Sequence, residues 1–126
     1  NTVMGYFALS AEDGHGRNVA IGYQSLTVQN AGAEAYNTAV GYNTGAAMST
    51  GIQVTLIGAL AGDALTTGNY NTAIGVNALG AEDAHGYNTA IGYQALATLD
   101  AGVDAYNTWY SYDNRYTKYN SWGTGW

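Results

Sequence analysis

One five-residue signal recurs along the chain and limits what it can fold into. Its copies are Asn1-Thr2-Val3-Met4-Gly5, Asn18-Val19-Ala20-Ile21-Gly22, Asn37-Thr38-Ala39-Val40-Gly41, Val54-Thr55-Leu56-Ile57-Gly58, Asn71-Thr72-Ala73-Ile74-Gly75 and Asn88-Thr89-Ala90-Ile91-Gly92. A seventh begins at Asn107-Thr108 and then decays. The starts lie 17, 19, 17, 17, 17 and 19 residues apart. A fixed period of this size is the signature of a stacked repeat architecture. A longer period is superimposed, because residues 1–45 match residues 71–115 at an offset of 70. The loop Ala11-Glu12-Asp13-Gly14-His15-Gly16 accordingly returns as Ala81-Glu82-Asp83-Ala84-His85-Gly86. Loop length thus belongs to the position in the array, as expected after duplication of a four-turn block.

Within a repeat the predicted order is short strand, turn, second short strand, loop. The first strand is the β-branched triplet bounded by Asn and Gly. The second is the following stretch, as in Tyr23-Gln24-Ser25-Leu26 and Tyr93-Gln94-Ala95-Leu96. Gly-, Asp- and Asn-rich segments close each loop, and no uninterrupted apolar face at helical spacing occurs, so no helix is expected. Gly22, Gly41, Gly58, Gly75 and Gly92 mark a bend suited to a residue without Cβ. Alternation puts Thr and Ile on one side of the strand and Ala and Gly on the other. Neither side is polar, and a 17-residue unit cannot bury both alone.

Stacking in register builds ladders of like residues. Asn18, Asn37, Asn71 and Asn88 would form one of side-chain amides, which Val54 interrupts. Ile21, Val40, Ile57, Ile74 and Ile91 would form another, and the glycines a third. At ~4.8 Å per rung, seven rungs give a rod about 34 Å long. The sequence leaves open which strand side faces inward. Its remaining apolar side predicts an oligomer with closed cyclic symmetry.

The strings Asn-Thr-Ala-Ile-Gly-Tyr-Gln-Ala-Leu and Asn-Thr-Ala-Val-Gly-Tyr resemble the head repeats of YadA-like trimeric autotransporter adhesins, and more closely the longer variants of bacteriophage tail fibres. The resemblance covers residues 1–108. It implies an all-β, left-handed parallel β-roll assembled as a homotrimer. It also implies an extracellular or virion rod that holds a receptor-binding tip away from a base. The repeat is longer than in the adhesins, and Asn-Thr stands where they often have Ser. Both departures favour a phage tail fibre in host attachment over a bacterial surface adhesin or secreted appendage.

Composition narrows the chemistry. Three Lys or Arg against nine Asp or Glu give a net charge of −6, which argues against nucleic acid. No apolar run is long enough for a membrane span, and no cleavable leader is expected. There is no cysteine, hence no thiolate chemistry. His15 and His85 each follow an acidic pair, but one His beside a carboxylate is short of a zinc ligand set, and these loops read as solvated surface. Glu34, Asp63, Asp100 and Asp104 lack the spacing of a calcium loop. The serines sit in no nucleophile elbow, and no phosphate-binding glycine loop occurs. No enzyme, cofactor or metal site is therefore expected. The threonine column (Thr2, Thr38, Thr55, Thr72, Thr89, Thr108) raises ice binding as a weaker reading.

Residues 109–126 form a separate segment with seven aromatics: Trp109, Tyr110, Tyr112, Tyr116, Tyr119, Trp122 and Trp126. Tyr112, Tyr116, Trp122 and Trp126 are candidate contacts to a cell-surface glycan or receptor. A cap on the last rung or the start of a next module is the favoured reading of the segment, with a sequence error after Thr108 as the remaining alternative.

Overall fold

The computed structural model describes residues 1–98 and 106–110, and the backbone of 118–120. It is an all-β parallel solenoid of about six turns with about 17 residues per turn. Each recurring triplet forms a three-residue strand: β1 (Thr2–Met4), β2 (Val19–Ile21), β3 (Thr38–Val40), β4 (Thr55–Ile57), β5 (Thr72–Ile74) and β6 (Thr89–Ile91). The next strand, β7 (Asn107–Tyr110), is one residue longer, and β8 (Lys118–Asn120) follows it. One sheet runs β1 to β8 in chain order, parallel from β1 to β7. β8 joins β7 antiparallel. The 19-residue repeats keep the register of the 17-residue ones, with Ala20 on Ala39 and Ala90 on Trp109. The two extra residues are absorbed outside the strands.

The predicted second strand is not one. Residues 23–28 are turn, as are their counterparts in the other repeats. Their backbone carries positive φ at alternate positions: Gln24 at 52° and Leu26 at 51°, Asn77 at 56° and Leu79 at 57°, Gln94 at 53° and Leu96 at 52°. Amides at these positions bond in opposite directions along the stack. Gln24 N–H donates back to Tyr6 O (2.9 Å), while Leu26 N–H donates forward to Thr44 O (3.0 Å). Inter-rung hydrogen bonding therefore continues through the turn, and satisfying those groups offsets the steric cost of left-handed geometry in non-glycine residues.

Ala20, Ala39, Leu56, Ala73 and Ala90 point inward and are fully buried. They face Leu26, Leu79, Ala61, Ala78 and Ala95 of the turn, with Met48 and Leu65 from the loop side. Between the facing strand and turn walls of a rung, a coil this narrow has room for one large side chain. In the middle rungs Leu56 replaces the strand alanine, and Gly45 and Gly62 replace the turn leucine. A Cβ at either glycine would lie 2.8 Å from a Leu56 methyl. The bulk has moved from one wall to the other.

The strand-ending glycines are held at φ between 123° and 146°. At Gly22 an added Cβ would come 2.2 Å from Gly41 O, and at Gly58 2.6 Å from Gly75 O. Conformation and close rung-to-rung approach both demand glycine there.

Candidate functional site: an uncharged outer face

The ladder asparagines are buried at the entrance to each strand. Each Oδ1 accepts the backbone N–H one rung on: Asn18 from Asn37 (2.9 Å), Asn37 from Val54 (3.0 Å) and Asn71 from Asn88 (2.9 Å). The side-chain amides turn to loop carbonyls, Asn37 Nδ2 to Gly51 O (2.8 Å) and Asn71 Nδ2 to His85 O (2.9 Å). Asn18 Nδ2 instead donates to Glu12 Oε2 (3.3 Å), and Asn88 Oδ1 accepts from Asn107 Nδ2 (2.9 Å). Val54 is buried in the same column and offers no amide to the rung that follows.

With Ala and Asn inside, the alternate strand residues are outside. Met4, Ile21, Val40, Ile57, Ile74 and Ile91 lie in register, flanked by the Thr column. Beyond the strand-ending glycine stand Tyr6, Tyr23 and Tyr42, whose rings stack at 5.7 and 5.4 Å between centroids. Ala59 and Val76 then interrupt that column before Tyr93. On the other side, just before the ladder asparagine, Tyr70 stacks on Tyr87 at 4.9 Å and Tyr106 lies tilted against Tyr87 at 4.8 Å. Below them Gln53 intervenes, and Tyr36 carries the Arg17 guanidinium 5.5 Å from its ring centroid. Arg17 also pairs with Glu34 at 3.0 Å. The Tyr36 hydroxyl donates to Glu34 Oε2 (2.7 Å), and this bond is the leading reason its pKa lies above the ordinary value.

From the ladder position to the residue after the glycine, none of the six rungs contains Asp, Glu, Lys or Arg. The acidic residues of these rungs lie on the loops apart from Asp63 in the turn, and Arg17 holds the position just before the ladder asparagine that Tyr36, Tyr70 and Tyr87 hold in other rungs. Charge and apolar surface are thus segregated around the coil, and sequence alternation alone left the direction of the Ile side undecided.

The two histidine loops are not simply solvated. Glu82 is fully buried and takes the His85 N–H on Oε1 at 3.0 Å, with His85 Nδ1 2.9 Å from the same oxygen. Glu12 takes the His15 N–H in the same way at 3.0 Å. In each loop Glu, Asp and His ligand atoms lie within 4.8 Å of one another, but the glutamate closes the loop onto its own backbone. Ser10, Ser25 and Ser49 hydroxyls donate to the carbonyls of Thr27, Ala39 and Thr66. Asp63 carries a carboxyl pKa raised above its ordinary value of 3.8, chiefly by burial, with its own and the Ala64 backbone amides pulling the other way.

Trp109 and Tyr110 continue the inner and outer columns of the sheet in β7. The glycan-contact candidates Tyr112, Tyr116, Trp122 and Trp126 lie outside the described residues. Among the described residues no helix is long and apolar enough to cross a membrane.

Fold and outer face define the class: a parallel β-solenoid with one uncharged aromatic and aliphatic side. No known protein family, curated protein or solved structure matches the chain.

Proposed function

We propose that the chain is a structural segment of a homotrimeric extracellular fibre, a bacteriophage tail fibre serving host attachment. The observation that carries the reading is the uncharged outer side, which a single copy leaves in water. Six rungs ~4.8 Å apart and a side six residues wide give roughly 29 by 20 Å, about 580 Å² in projection before side-chain relief. That approaches the ~800 Å² per partner of a standard stable interface. Three copies placing their Ile columns towards a common axis would cover its middle and leave the flanking tyrosine columns at the rim. The left-handed winding and the attachment role come from the repeat resemblance, as does the virion location.

In this reading the mechanism is mechanical. Hydrogen bonds along the stack give stiffness, sister chains raise the cost of peeling off a rung, and recognition is left to loops or a distal tip. Replacing Ile57 and Ile74 by Lys tests it. The pair should reduce the sedimenting mass to that of one chain while the β-type circular dichroism persists. An unchanged mass would remove this face as the interface.

The outward, in-register threonines favour a second reading, adsorption to ice. Thermal hysteresis of the purified chain decides between them, since a face covered by sister chains produces none.

A further inference from the structure

We infer that the tyrosine columns are sites of oxidative cross-linking, where neighbouring rungs of one chain are joined through dityrosine bonds. Four ring pairs stand close enough. Tyr70–Tyr87 and Tyr87–Tyr106 have centroids 4.9 and 4.8 Å apart. Tyr6–Tyr23 and Tyr23–Tyr42 are at 5.7 and 5.4 Å. All six rings are solvent-exposed in the single chain and stand at the two edges of the Ile side, at the solvent-accessible rim of the proposed interface, where a small oxidant reaches them. The parallel register holds each phenol beside its neighbour, which favours coupling within a column over coupling between diffusing molecules.

The co-reactant is a one-electron oxidant of the kind a haem peroxidase forms from hydrogen peroxide. It takes one electron from each of two phenols, and each phenol loses its hydroxyl proton. The two phenoxyl radicals then join at the ring carbons ortho to oxygen, forming one carbon–carbon bond. Each ring returns its displaced ortho hydrogen to its oxygen and regains aromaticity. In total two tyrosines give up two hydrogen atoms, and one hydrogen peroxide becomes two waters.

The consequence is a covalent staple in a protein without cysteine. A bond between adjacent rungs closes a loop of 17 or 19 residues, spacings at which a covalent link restricts the unfolded chain appreciably. Partners are specified by the interruptions. Gln53 separates Tyr36 from Tyr70, while Ala59 and Val76 separate Tyr42 from Tyr93, so neither gap is bridged.

The test is oxidation of the dilute, folded chain with a peroxidase and hydrogen peroxide, followed by mass spectrometry of the denatured product and peptide mapping. The expected product is a single chain lighter by two hydrogens per link, with links at Tyr70–Tyr87, Tyr87–Tyr106, Tyr6–Tyr23 or Tyr23–Tyr42. Tyr87→Phe leaves Tyr70 and Tyr106 two rungs apart and should cut dityrosine at these two positions by at least ~10-fold. Gln53→Tyr should add links from position 53 to Tyr36 and Tyr70. Links only between chains, or only within residues 109–126, would overturn the proposal. So would an identical link pattern after oxidation in concentrated urea.

Discussion

Replacing Asn37 by Val transplants the residue found at position 54 into an intact part of the ladder. Asn37 is buried, accepts the Val54 N–H on Oδ1 at 3.0 Å and donates from Nδ2 to Gly51 O at 2.8 Å. Valine fills nearly the same volume, so the cost comes from polar groups. Gly51 O retains the Gln29 Nε2–H at 3.2 Å, whereas the Val54 N–H loses its acceptor inside the coil. An orphaned buried donor costs ~1–3 kcal/mol, and the lost amide bond brings the expected total to about 2–3 kcal/mol. Hydrogen exchange reads the effect locally: Val54 N–H should exchange on the order of 30-fold faster for a loss of ~2 kcal/mol. Amides of β6, three rungs away, should change far less, because stability in a stacked array passes mainly between neighbours. The urea midpoint should fall in parallel. Unchanged Val54 protection, or a stability loss below ~0.5 kcal/mol, would refute the ladder as an energetic element.

The converse change, Val54→Asn, supplies the missing amide and should stabilise the fold by about 1 kcal/mol, read as a higher urea midpoint. Gly58→Ala places a Cβ 2.6 Å from Gly75 O at φ 130° and should cost ~3 kcal/mol or more; Gly32→Ala, at φ 66° with open space around it, should cost only ~1 kcal/mol. Thermal melts of the two variants make the comparison. Leu56→Ala empties the space above Gly45 and Gly62 and should cost ~3–5 kcal/mol; adding Gly62→Leu, which copies the arrangement of the following rung, Ala73 with Leu79, should recover a large part in denaturant titrations. Asp63 has its pKa raised in the folded chain, so its ionisation opposes folding: the penalty is absent below its ordinary value of 3.8 and develops as pH rises through the folded value. Asp63→Asn should therefore raise the melting temperature at neutral pH and leave it nearly unchanged in acid, and the opposite pattern would contradict that assignment.

Strand position and register could be read from the residues because every rung restates them. The triplets after the ladder position are the strands, and the 19-residue spacing leaves their pairing untouched. The turn after each glycine was less legible. Tyr-Gln-Ser-Leu has the composition of a strand, and nothing in Gln24 or Leu26 announces positive φ. Their geometry follows from hydrogen bonds to the rungs on either side, which one repeat read alone does not contain. The Leu56 exchange with Gly45 and Gly62 is visible only once strand and turn are known to face each other. Glu82 reads as a surface loop residue by type, yet its carboxylate is drawn inside to close the loop around His85. The aromatic columns were present in the alignment of repeats. Their significance emerged only when the Ala side proved to be the interior and the Ile and Tyr columns were left outside.

Sedimentation equilibrium of the purified chain tests the central claim most directly. If sister copies share the Ile side, the measured mass is three times the 13.2 kDa of one chain and stays so on dilution to low micromolar concentration. A mass of 13.2 kDa under the same conditions would mean that this surface stands open to water, and the fibre account would fail with it.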